Sequence, residues 1–214
     1  MTASSAPVHR QLISHFDPKT LTELNVQGSQ LIVKAYHEPT TLPKTGLAYW
    51  LGRLPLNSPT CAMDIDIGCG LYDDHGTLLE MVWYARMRSK DELVRHGGDS
   101  FREMSKYYRP DSIKERLSVR FGELDKRVHK LAFFVHSFYH QPLALAKSGK
   151  IGLYDNEGVL IHHIPLTALA ADCTALCAWQ MRRLDSDWQI AAPMLAMTGN
   201  TIEELAKQWQ QVGI

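Results

Sequence analysis

Met63-Asp64-Ile65-Asp66-Ile67-Gly68-Cys69-Gly70-Leu71-Tyr72 is strand-like and largely apolar apart from its two aspartates. On a strand, residues i and i+2 share a face, so Asp64 and Asp66 stand side by side, where repulsion and desolvation cost free energy unless a positive charge lies near them. Gly97-Gly98-Asp99-Ser100 and then Glu115 follow in loop-like or strand-entry positions and supply further oxygen-bearing side chains. All-oxygen ligation suits a hard cation, calcium before magnesium, because calcium tolerates irregular geometry and loop ligands. Asp64, Asp66, Asp99, Ser100 and Glu115 are therefore the candidate metal ligands.

Working outward from this stretch, the chain reads mostly β. Strand candidates fall at 30–36, 47–54, 63–72, 77–84, 117–121, 130–138, 150–154, 159–164, 175–184 and 188–192. Breaks at Gly, Pro, Asn and Asp space them as an antiparallel β-sandwich rather than as alternating strands and helices. Residues 1–20 are polar, contain Pro7 and Pro18, and read as a mobile or loosely docked arm, leaving 21–214 as one domain. Two turns echo each other: Leu71-Tyr72-Asp73-Asp74-His75-Gly76 recurs as Leu153-Tyr154-Asp155-Asn156-Glu157-Gly158. Each fits a hairpin whose Gly takes a positive φ, and the echo fits either an internal duplication or the same turn chemistry used twice. The chain closes on a C-terminal helix, with Thr201 and Glu204 as a capping box and Ile202, Leu205, Ala206, Trp209 and Val212 on one face.

Composition narrows the class. The 23 basic and 23 acidic residues cancel, so overall charge indicates neither a nucleic-acid nor a membrane partner. No stretch approaches the ~20 apolar residues of a membrane span and the N-terminus lacks a signal-peptide core, so a cytoplasmic location is expected. Cys61, Cys69, Cys173 and Cys177 show no Cys-x-x-Cys spacing and read as reduced, buried thiols. Neither His136 with His140 nor His162 with His163 has a convincing third partner as a metal site, whereas His96, beside Gly97-Gly98-Asp99, is placed to support a ligand.

The order Asp-Ile-Asp, an Asp-Gly hairpin, His96-Gly97-Gly98-Asp99-Ser100, a second Asp-Gly hairpin and a closing helix resembles the TerD-domain family of tellurium-resistance and general stress proteins. The resemblance covers roughly 21–214. It implies a β-sandwich whose loops hold calcium, acting as a scaffold among other proteins of a stress or tellurite-resistance complex at the inner face of the membrane, and not as an enzyme. Asp64 and Asp66 match the family's Asp-Leu-Asp, Gly98-Asp99-Ser100 its Gly-Asp-Asn, and Glu115 the end of its Asp-Asp-Glu run.

The chain departs from that pattern between Ser100 and Glu115, where glycines and consecutive acids give way to a bulkier, basic stretch, as in a divergent TerX- or TerZ-like member. At most one calcium site is then expected. Residues 86–120 carry ten basic against six acidic residues, a local excess of four. Arg102, Lys106, Tyr107, Tyr108 and Arg109 form a basic, aromatic loop able to dock an anionic partner without calcium, or else a solvated loop whose arginines pair with nearby acids. Nucleophile elbows, phosphate-binding loops and dinucleotide turns are absent from the sequence. A metal-dependent hydrolase at Asp64, Asp66 and Glu115, or thiol reduction of tellurite by Cys61 and Cys69, are the remaining catalytic alternatives.

Overall fold

In this computed structural model the described residues are 16–43, 60–97 and 115–212. Two antiparallel sheets face each other. The larger contains β1 (Phe16–Thr20), β13 (Trp188–Ala192), β12 (Ala175–Arg183), β9 (Lys130–Ser137), β5 (Ile65–Tyr72) and β6 (Leu78–Val82) in that order, with β14 (Leu195–Met197) also pairing β12. The smaller runs β11 (Leu160–Pro165), β10 (Lys150–Tyr154), β2 (Leu31–Tyr36), β8 (Glu115–Val119) and β7 (Val94–His96). A short ribbon pairs β3 (Thr41–Pro43) with β4 (Thr60–Ala62).

Strand alternation builds two cores. Ile65, Ile67, Cys69 and Leu71 of β5 meet Leu31, Val33, Leu117, Ile151 and Leu153 in the interior between the sheets. Residues on the opposite face of the larger sheet, including Tyr72, Ala132 and Phe134, pack beneath the C-terminal helix Ile202–Val212 through Ile202, Leu205, Ala206 and Trp209. Thr201 Oγ1 accepts from Glu204 N–H at 3.1 Å and starts that helix, while Glu204 Oε2 reaches back to Asn200 N–H at 2.7 Å. Gly68 lets the helix sit this close, since a Cβ there would lie 2.5 Å from Ile202 Cγ2. The Tyr72 hydroxyl donates to the Ala206 carbonyl at 3.0 Å.

The echoed turns are the same structure, one in each sheet. Asp73 and Asp155 each open the turn, Gly76 and Gly158 take φ of +83° and +81°, and each aspartate accepts from the N–H four residues on, Thr77 at 2.7 Å and Val159 at 2.8 Å. Each hairpin also shifts register at the preceding Leu–Tyr step.

Three differences from the sequence reading have physical causes. Residues 16–20, read as the end of the arm, form an edge strand that admits Pro18 at an interruption of register between Phe16 and Lys19. The strand expected at 117–121 spans Glu115–Val119, which makes Glu115 its first residue. β3, β4, β7 and β14 have three residues each, too few for a period to show. The candidate strand at 47–54 lies outside the described residues.

Candidate functional site

Asp66 lies on β5 directly opposite His136 of β9, on the face that Gly68 turns toward the helix. Both side chains are buried, with Asp66 Oδ2 4.0 Å from His136 Nδ1. His136 Nε2 is 3.2 Å from the Gly199 carbonyl; a carbonyl only accepts, so this nitrogen carries a proton. The His140 ring stands edge-on to His136 at 5.4 Å, because the chain turns at 138–140 and brings i and i+4 together beyond the strand end. Burial holds His140 below the ordinary histidine range, the His136 charge adds to this, and Glu204 opposes it. Asp64 is half-buried, and its carbonyl accepts from Phe138 N–H at 3.0 Å.

Glu115 faces elsewhere. With Leu117 and Val119 it points from β8 into the interior, where its Oε2 lies 2.5 Å from His96 Nε2, both side chains closed off from solvent. β7 and β8 are neighbours, and Gly97 N–H donates to the Arg116 carbonyl at 2.7 Å immediately beside this pair. The larger sheet therefore stands between the Asp66 and Glu115 carboxylates, and a histidine accompanies each. Among the described residues no group of three His, Cys, Asp or Glu side chains is arranged to hold a metal. Asp99, Ser100, Arg102, Lys106, Tyr107, Tyr108 and Arg109 lie outside the described residues, in the segment that joins β7 to β8.

Two features escaped the sequence reading. His162 faces the interior and accepts a hydrogen bond from Trp179 Nε1 at 3.0 Å. The outer side of the five-stranded sheet collects basic side chains from several strands, a pattern hidden by the neutral total but legible as alternate positions along β2, β8 and β10. Of the thiols, Cys69 and Cys177 are fully buried, and desolvation raises both well above the ordinary cysteine range.

This architecture belongs to the class of two-sheet antiparallel sandwiches covered on one outer face by a C-terminal helix. The TerD domain family model matches residues 47–209, most of the chain, and the chain belongs to that family. Tellurium resistance protein TerZ from Serratia marcescens is 26% identical over 144 residues, covering 67% of this chain and 72% of that protein. The crystal structure of a homologue of telluride resistance protein (TerD), SCO6318 from Streptomyces coelicolor A3(2), superposes with a TM-score of 0.62 at 13% identity, covering 85% of this chain and 97% of the other. That of SAV2460, a protein of unknown function, gives a TM-score of 0.62 at 14% identity over 82% and 93%. These two likenesses establish the fold. Among the described residues no helix is long and apolar enough to cross a membrane.

Proposed function

We propose that this chain is a non-catalytic binding module of a tellurite-resistance or stress-response system, working in the cytoplasm or at the inner membrane surface. It engages an anionic partner through the basic, aromatic segment between β7 and β8, without calcium. The observation that carries this reading is the buried His96–Glu115 pair at the two points where that segment leaves and rejoins the sheet. The carboxylate that the family resemblance would give to a metal is here engaged by an imidazole, which can fix the base of the segment without an ion. A metal-dependent hydrolase gains no support from Asp66 and Glu115 facing opposite sides of a sheet. Thiol reduction of tellurite gains none from a buried Cys69 whose thiolate is disfavoured.

Thermal unfolding in EDTA, calcium or magnesium tests the calcium part. A ligand at a hundredfold over its Kd stabilises the folded state by about 2.7 kcal/mol, which for a chain of this size raises the midpoint by roughly 5–10 °C. No calcium-specific rise is expected. A rise abolished by Asp66→Asn would overturn the reading in favour of a retained calcium site. Retention on heparin resin tests the anionic part: Arg102→Ala with Arg109→Ala should elute at lower salt with an unchanged midpoint, and unchanged elution would exclude the segment as the binding element.

A further inference from the structure

The helix covers the outer face of the larger sheet, and no helix among the described residues covers the outer face of the smaller one. The five strands of that smaller sheet contain one acid, Glu115, and it points into the sandwich. Their outward positions carry Lys150 on β10, Lys34 on β2, Arg116 on β8 and Arg95 on β7. The registers place these four as a diagonal band: Lys34 is directly opposite Arg116, Lys150 sits beside Tyr36 two residues along from Gly152, and Arg95 faces Ser118. With strands about 4.8 Å apart, successive cations are spaced by roughly 5–8 Å.

Nothing in the fold calls for this arrangement. Like charges directly opposite each other on a sheet destabilise it. Lys34 is held below the ordinary lysine range first by burial and then by the Arg116 charge. Arg95 pairs with Glu92 at 2.9 Å, but Lys34, Arg116 and Lys150 have no carboxylate partner among the described residues. Two tyrosine rings flank the band, each beneath a lysine: Lys34 Nζ is 4.3 Å from the Tyr154 centroid and Lys150 Nζ 5.1 Å from that of Tyr36. At the β7–β8 end, a notch of about 280 Å³ is lined by Gln30, Leu93, Arg95, Ser118 and Arg120.

We propose that this face is a docking surface for single-stranded nucleic acid, with phosphates on the band from Lys150 through Lys34 and Arg116 to Arg95 and bases on Tyr36 and Tyr154. A positive track interleaved with aromatic rings is what such a strand requires, and the cation–π lysines can move to phosphate as a base takes the ring. A lipid surface fits less well, because the exposed large hydrophobics, Leu79, Met87, Phe138, Leu145, Val159 and Leu195, all lie off these five strands. The inference shares with the proposed function an anionic partner and differs from it in the surface used.

The test is fluorescence anisotropy of the full chain with a labelled oligo-dT of about fifteen nucleotides. Four phosphate contacts predict a slope of log K against log salt of about −3. The triple variant Lys34→Gln, Arg116→Gln, Lys150→Gln should bring that slope to about −1 and weaken binding at least about tenfold at moderate salt. Its thermal midpoint should be unchanged or raised, since a like-charge pair is removed. Absence of wild-type binding at low salt, or a triple variant that binds like wild type, overturns the proposal. So does stronger association with phosphatidylserine-containing vesicles than with the oligonucleotide. Loss of oligonucleotide binding only in Arg102→Ala with Arg109→Ala overturns the sheet face and leaves the segment between β7 and β8 standing; loss only in the triple variant does the reverse.

Discussion

Lowering the pH should destabilise this protein through one buried side chain, His162. Its Nδ1 accepts from Trp179 Nε1, the rings meet nearly perpendicular at 89°, and both residues are closed off from water. An Nδ1 that accepts cannot also carry a proton, so the folded state requires the neutral imidazole. Burial, with the nearby His163 charge, lowers His162 to about 4. In the unfolded chain the same ring titrates near 6.5, so the unfolded state takes up the proton first as pH falls. The contribution of His162 is thus intact above about 6.5 and is lost progressively toward about 4. Going from pH 7 to pH 5 should cost about 2 kcal/mol, and about 3 kcal/mol once the folded form also titrates. His162→Gln isolates this effect, because the amide oxygen can still accept from Trp179 but does not titrate. Urea unfolding followed by tryptophan fluorescence should show wild type losing about 2 kcal/mol more than the variant between the two pH values. Equal losses would refute both the assigned tautomer and the inference that burial keeps the ring neutral.

The helix seat gives a second expectation. Gly68→Ala forces a methyl against Ile202 and Met81 and should destabilise by about 1–3 kcal/mol, and adding Ile202→Ala should cost less than the sum of the single changes when measured by urea unfolding. The paired hairpins should respond unequally. Asp155 is buried and accepts from Gln27, Glu157 and Val159 N–H groups, so Asp155→Ala should cost about 2–4 kcal/mol, while Asp73→Ala at the more exposed equivalent should cost clearly less. Glu115→Gln removes the carboxylate buried against His96 and should cost about 3 kcal/mol, whereas Glu115→Leu with His96→Leu should recover much of that in chemical unfolding.

The elements that could be read from sequence were those long enough to show a period. β9 and β12, with eight and nine residues, and the helix behind Thr201 emerged nearly at their true bounds. Three-residue strands could not, and β1 was hidden by Pro18, which an edge strand admits. At the candidate site, sequence supplied the carboxylates and the expectation of a positive partner beside them, but not which residue stands opposite Asp66. His136 is seventy residues away in sequence and becomes its neighbour only through the β5–β9 register. Glu115 does stand at a strand entry, as the first residue of β8, but nothing local distinguishes a ligand-bearing loop end from an inward strand position; only β8 settles that it points into the sandwich.

The neutral total concealed how differently the two halves of the sandwich are used. Gly70-Leu71-Tyr72-Asp73 in one sheet and Gly152-Leu153-Tyr154-Asp155 in the other share more than a turn, for in each the tyrosine ring lies so close over the preceding glycine that a Cβ there would be within 3 Å of ring atoms. A tight turn requires its Asp and its Gly, but not a tyrosine folded over a glycine on the strand before it, and this favours duplication over coincidence. The fates of the two rings then differ for one reason. On the larger sheet the helix descends over Tyr72 and takes its hydroxyl at Ala206, making that face an internal core. On the smaller sheet no described helix does so, and Tyr154 stays half-buried beneath Lys34, whose own cross-strand neighbour is Arg116. The C-terminal helix thus turns one outer face of the sandwich into an internal core, while the outer face of the smaller sheet, on which no described helix lies, keeps its charged side chains at the surface.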